Sequence, residues 1–255
     1  MSDQLLNGAV ALVTGASSGI GAATARRLAR DGAEVALVAV RGERLDQVVR
    51  DIAGSGGRAA AVEADITEPE CAYEAVQDTL ERFGRLDILV NSAETRLINS
   101  ALHTTVEEWD RMVSLNVTAL LRVTHAAVPY LIDAAATSSR QVADLVNVSS
   151  TAGRVARPGS SVYNLTKFGL HGFTESLRQE LLQEHVRVSV VEPGAVDTEL
   201  VNHRCGATPK GPRGQGDRIA ALRAEDVADA IGYILTRERR VAVNEIVVRA
   251  GCQTC

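Results

Sequence analysis

Short apolar runs alternate with helical stretches along almost the whole of this 255-residue chain. Val10–Val13, Glu34–Val40, Arg58–Ala64, Leu86–Val90, Leu145–Val148, Val186–Val191 and Glu245–Arg249 read as strands. Between them, Gly19–Arg30, a polar stretch from about Glu43, a stretch ending at Phe83, a long run from about Val106 to near Ala135, Ser161–Glu184 and Ala224–Leu235 read as helices. Thr67 and Glu70 have the spacing of a capping box for the third of these. Parallel strands need a crossover between them, usually a helix. The alternation therefore predicts an α/β chain with a doubly wound parallel sheet and helices on both faces. The length suits one domain over 1–255. Only 3% of residues are aromatic, so Ala, Val, Leu and Ile must build the core, as suits strands buried on both faces.

Several function classes are disfavoured. The net charge is -5 and no basic stripe runs along the chain, which argues against a nucleic-acid partner. Met1–Gly8 has no signal-peptide pattern, and no apolar run reaches the roughly 18 residues that would predict a membrane span. Cys252 and Cys255 have C-x-x-C spacing, but no second ligand pair accompanies them and they do not open a helix after a strand. They read as part of a tail, with no metal site. A cytoplasmic protein with reduced thiols is the expectation.

In such a sheet, ligands bind beyond the carboxyl ends of the strands, near the reversal in strand order. Thr14-Gly15-Ala16-Ser17-Ser18-Gly19-Ile20-Gly21 lies there, between the first strand and the first helix. Glycines at such a turn let the backbone approach a pyrophosphate, and the helix N-terminus offers it free N–H groups. The second strand ends Ala39-Val40-Arg41. An acid at this end would bind a ribose 2′-hydroxyl, whereas Arg41 suits a 2′-phosphate, so NADP(H) is the expected cofactor.

The G-x-x-x-G-x-G spacing resembles the short-chain dehydrogenase/reductase family in its single-domain form, and the likeness extends along the chain. Ser150 ends the fifth strand, thirteen positions before Tyr163, and Tyr163 and Lys167 are four apart on one helix face. Asn116 interrupts an apolar helical stretch. The resemblance implies a Rossmann fold and a catalytic group of Ser150, Tyr163, Lys167 and Asn116. Tyr163 would be the general acid of reduction or the base of oxidation, and Ser150 would hydrogen-bond the substrate oxygen. Lys167 would lower the phenol's pKa and hold ribose hydroxyls, and Asn116 would position a water linking Lys167 to solvent. Cofactor contacts would come from Gly15, Ser17, Ser18, Gly19, Ile20, Gly21, Arg41, Asp65, Ile66, Asn91, Ala93, Tyr163 and Lys167. Pro193, Gly194, Val196 and Thr198, in Glu192-Pro193-Gly194-Ala195-Val196-Asp197-Thr198, would complete the set.

One segment departs from the pattern. Where the family has Asn-Asn-Ala-Gly, this chain has Asn91-Ser92-Ala93-Glu94. Glu94 either faces solvent, which is the expectation, or points into the active-site cleft. The stretch 201–218, rich in Gly, Pro and charge, is either a flexible substrate loop or a surface loop without a role. Arg204, Lys210, Arg213 and Arg218 make it basic, which suits an anionic substrate or simply a solvated loop. The text Glu192-Pro193-Gly194, Asp197-Thr198-Glu199-Leu200, His203 and Glu245–Arg249 is similar to the clavulanic acid dehydrogenase-like reductases, which implies a related subgroup and secondary metabolism. The expected activity is NADP(H)-dependent reduction of a ketone or aldehyde by a homo-oligomer, a dimer or tetramer by resemblance. An NAD-dependent alcohol dehydrogenase and a non-catalytic nucleotide-binding protein stay open as alternatives.

Overall fold

The computed structural model describes residues 5–197, 221–251 and 253. Seven parallel strands form one sheet in the order β3-β2-β1-β4-β5-β6-β7. They are β1 (Val10–Thr14), β2 (Glu34–Ala39), β3 (Arg58–Glu63), β4 (Ile88–Asn91), β5 (Ala143–Val148), β6 (Val186–Pro193) and β7 (Glu245–Val248). The helices are α1 (Gly19–Arg30), α2 (Gly42–Gly54), α3 (Pro69–Phe83), α4 (Val106–Val113), α5 (Leu120–Thr137), α6 (Ser161–Glu180) and α7 (Ala224–Leu235). The chain builds outward from β1 to β3, then returns to lay β4 against the other side of β1. That reversal opens a crevice at the carboxyl ends of β1 and β4.

Side-chain alternation assigns the two faces. Ala11, Val13, Val35, Leu37, Ile88 and Val90 join α1, α2 and α7 in one core. Leu12, Ala36, Val38 and Leu89 join α3 and α5 in the other. A one-residue slip of any strand would exchange the two sets, so burial on both faces fixes the register.

Two local expectations need correction. Thr67 does not cap α3; its N–H and hydroxyl both donate to Asp65, and the helix begins at Pro69. Proline suits that first position because its missing N–H would lack a helical partner anyway. A capping box forms instead at α4, where Thr105 and Glu108 bond reciprocally. The long helix is also irregular: Ser114–Ala119 forms a π-helical segment between α4 and α5. Val106–Thr137 is long and apolar enough to cross a membrane by length and composition, although no uninterrupted apolar run of that length occurs in it. Its Val123, Ala127 and Leu131 are fully buried in the second core, as in a core helix.

The amino ends of the central strands hold buried ion pairs. Asp144 of β5 accepts two bonds from Arg187 of β6, at 2.7 and 3.1 Å, and a third from Arg140. Removing one partner of such a pair leaves a buried charge uncompensated. Asp144→Ala is expected to cost roughly 3–5 kcal/mol of unfolding free energy by chemical denaturation, whereas an exposed-pair control such as Glu238→Ala costs under about 1 kcal/mol.

Candidate active site

Thr14 ends β1 with its hydroxyl turned toward the chain leaving β4. It accepts hydrogen bonds from the Ser92 and Ala93 N–H groups, at 3.0 and 3.1 Å. The next residue, Gly15, has φ +67, and a Cβ there would lie 2.7 Å from the Ala93 Cα. The turn after β1 and the loop after β4 are therefore in backbone contact. A Cβ on Gly21 would come within 2.4 Å of the Gly15 carbonyl oxygen, so the first turn of α1 packs equally closely on this turn. Ser18, which precedes α1, gives the helix no side-chain cap. The first N–H groups of α1 and their partial positive charge are left available to an anion.

A cleft of about 570 Å³ lies over this turn. Gly15, Ser17, Ser18, Gly19, Ile20, Gly21, Arg41, Asp65, Ile66 and Ala93 all line it. Arg41 donates to the Ser17 hydroxyl and, at 2.8 Å, to that of Ser18. A cation and two hydroxyls thus meet at the end of β2, beside the exposed Val40. This donor set and the close-packed glycine turn fit a dinucleotide carrying an extra phosphate. Among the described residues no group of His, Cys, Asp or Glu is arranged to hold a metal ion.

Asn91 is placed differently from its expected cofactor role. Its buried amide donates to Asn147 of β5 and Thr124 of α5, both at 3.0 Å, so the side chain braces the sheet instead of lining the cleft. Asp65 lines the cleft and also accepts from Thr67.

The reactive side chains gather past the ends of β4, β5 and β6. Tyr163 and Lys167, one helical turn apart on α6, are only 3% and 2% exposed. The Lys167 Nζ donates to the Val148 carbonyl at 3.0 Å and meets the Glu94 carboxylate at 2.5 Å. The Tyr163 hydroxyl donates to the same Glu94 oxygen at 3.3 Å, with the Ser150 side chain close enough to favour the phenolate. Ser150 also accepts from the Ala152 N–H at 3.1 Å. Ser150, Tyr163 and Lys167 are therefore brought together.

Glu94 does not face solvent as expected; it points at the two buried groups of α6, with its side chain 16% exposed. The electrostatic balance at the phenol changes accordingly. Burial, and next the negative charge of Glu94, push the Tyr163 phenol well above its ordinary value. The Ser150 side chain and the positive charge of Arg96 oppose this without overcoming it. Lys167, expected to lower this phenol, is itself paired with Glu94, and the net shift is upward.

Asn116 sits in the π-helical segment and clamps the Glu94 loop. Its amide accepts from the Thr95 N–H and donates to the Thr95 carbonyl, both at 2.8 Å. Its further bond, at 3.4 Å, is to Thr166. Pro193 ends β6, and Gly194 and Val196 follow it. A Cβ on Gly194 would collide with Gln253, whose side-chain oxygen accepts from the Ala195 N–H. Thr198 and the 201–218 stretch lie outside the described residues.

Sequence reasoning missed Thr14, Arg96 and Gln253. The Arg96 guanidinium lies 5.5 Å from the Tyr163 ring centroid. No sequence pattern announces any of the three, although Arg96 does follow the atypical Glu94 by two positions. Glu192 was read only as part of the strand-ending turn. It is fully buried beneath the site, where Arg154 holds it with two 2.6 Å bonds. Its carboxylate and that of Glu245 raise the Arg154 pKa.

The contact between the Gly15 turn and the β4 loop can be measured. Gly8 also has a positive φ, +78, but a Cβ there would meet nothing within 4 Å. Gly8→Ala is expected to cost only left-handed strain, of order 1–3 kcal/mol. Gly15→Ala should cost clearly more and weaken nucleotide binding as well. Equal losses of unfolding free energy would count against the contact.

The family model described as "short chain dehydrogenase" matches residues 9–206. An oxidoreductase of Staphylococcus epidermidis, itself uncharacterized, is 34% identical over 240 residues, covering 94% of this chain and 96% of that protein. A metagenomic short-chain oxidoreductase solved in complex with NADP superposes with a TM-score of 0.80 at 31% identity, over 96% of this chain and 98% of that one. A 3-ketoacyl-(acyl-carrier-protein) reductase of Brucella melitensis, complexed with NADH, gives 0.82 at 30% identity over the same shares.

Proposed function

The chain belongs to the short-chain dehydrogenase family and is an oxidoreductase acting on CH–OH or C=O groups, and we propose that it reduces a ketone or aldehyde to an alcohol with NADP(H), using Tyr163 as proton donor. The observation that carries this reading is the convergence of Ser150, Tyr163 and Lys167 at one carboxyl-terminal end of the sheet. When bound, the cofactor supplies the hydride for the carbonyl carbon. The protein's own task is to meet the charge that develops on the oxygen. Ser150 offers that oxygen a hydrogen bond and Tyr163 delivers the proton. A phenol held above its ordinary value of about 10 is fully protonated at neutral pH, as a proton donor must be. Lys167 fixes the end of β5 beneath this pair through the Val148 carbonyl.

Arg41 with Ser17 and Ser18 supports NADP(H) over NAD(H), as does the NADP-bound structural neighbour. The NADH-bound neighbour makes cofactor preference a necessary measurement. The C-terminal text similar to clavulanic acid dehydrogenase-like reductases suggests a related subgroup in secondary metabolism, not the same substrate.

Oxidation of NADPH and of NADH should be followed with a panel of aldehydes, ketones and β-ketoacyl thioesters. Turnover is expected with NADPH, falling about 10²–10⁴-fold in Tyr163→Phe, the range that general acid catalysis supplies. Undiminished turnover in that variant would refute the assigned proton donor. Arg41→Asp is expected to reverse the preference toward NADH, because an acid there binds the ribose hydroxyl and repels a phosphate. A wild-type preference for NADH would refute the role given to Arg41.

A further inference from the structure

We propose that Glu94 is a built-in counter-charge that keeps Tyr163 in its proton-donating form and biases the site toward reduction. The inference deepens the proposed function, since it rests on Tyr163 being the group that exchanges the proton.

The geometry is specific. One oxygen of Glu94 faces both the Lys167 ammonium, at 2.5 Å, and the Tyr163 hydroxyl, at 3.3 Å. A lysine beside a phenol favours the phenolate, but a carboxylate on that lysine cancels its charge and repels a second anion at the hydroxyl. Chance does not aim this side chain: Asn116 holds Thr95 by both backbone groups, and Thr14 holds Ala93 by its N–H. The residue between them is thus presented to α6 from a loop fixed on both sides.

The other groups around the phenol are few. Arg96, on the same loop, lies against the ring and favours the phenolate, and Ser150 offers a neutral hydroxyl from the end of β5. Arg111 of α4 lines the cleft with Glu94. His171 and Arg154, which flank the site, are turned to Glu192. Of the charged groups contacting the hydroxyl or the ammonium, Glu94 is the only anion among the described residues.

The consequence differs for the two directions of reaction. In reduction, the carbonyl carbon gains two electrons and a hydrogen as hydride from the reduced cofactor, and the oxygen takes the Tyr163 proton. In oxidation, the phenolate must accept the alcohol proton while the hydride leaves for the oxidised cofactor. A counter-charge that disfavours phenolate extends reduction to higher pH and restricts oxidation to alkaline solution.

The test compares wild type, Glu94→Gln, Glu94→Gly and Arg96→Ala. The pH profiles of kcat/KM are recorded in both directions, and tyrosinate absorbance is titrated with Tyr163→Phe as blank. A neighbouring charge moves a pKa by about 1–3 units. Both Glu94 variants should therefore move the phenol limb down by at least about one unit, giving roughly tenfold faster oxidation on the acidic side of the wild-type limb. Reduction should fade at correspondingly lower pH. Arg96→Ala should move the limb the opposite way. The tyrosinate titration should follow the same order without any turnover. Limbs and tyrosinate signals that stay at their wild-type positions in both Glu94 variants, or move up, would overturn the proposal. If Glu94→Gly fails to fold, the near-isosteric Glu94→Gln carries the test. Undiminished activity in Tyr163→Phe would instead overturn the proton donor itself, so the two failures are distinguishable.

Discussion

An ammonium group with 2% of its residue exposed needs partners, because a buried unpaired charge is among the costliest features a fold can carry. Lys167 finds two: the Val148 carbonyl at the end of β5 and the Glu94 carboxylate on the loop after β4. Each draws a different element against α6. The lysine therefore ties together the three segments that bear Tyr163, Ser150 and Glu94, and the site takes its shape from that constraint. Asn116 and Thr14 hold the Glu94 loop from outside, one from the π-helical segment and one from β1.

The sheet supplies the frame for this. Its strand order reverses between β1 and β4, so the glycine turn and the reactive group lie along one edge. The turn after β1 cannot separate from the loop after β4, because Gly15 and Ala93 are in direct backbone contact. The Arg41 region and the Tyr163 region are consequently two ends of one connected framework. A cofactor held by the first would reach the second.

The elements and the central residues were legible in the sequence because their signals are local or periodic. Strand alternation, the glycine turn and the four-residue interval from Tyr163 to Lys167 all survive without tertiary knowledge. What escaped depends on tertiary contact. Glu94 was recognised as a departure, but its direction is set by a lysine more than seventy positions away and by the Asn116 clamp. Asn91 was assigned to the cofactor, yet its amide turns inward to Asn147 and Thr124, partners that belong to other strands and helices. Thr67 carried a capping spacing, but the Asp65 carboxylate two residues earlier captured its hydroxyl, and Pro69 moved the helix start. Gln253 is an ordinary polar residue in sequence and matters only because its side chain meets Gly194 and Ala195.

The central claim is that Ser150 and Tyr163 act as one unit on a single carbonyl oxygen, and a double-variant comparison tests it most directly. The kcat/KM for carbonyl reduction would be measured for Ser150→Ala, Tyr163→Phe and the two combined. Residues that act as a unit give strongly non-additive losses. The account predicts a combined variant about as impaired as the worse of the two single variants. Losses that simply multiply would contradict it, because they would mean that the two hydroxyls act independently.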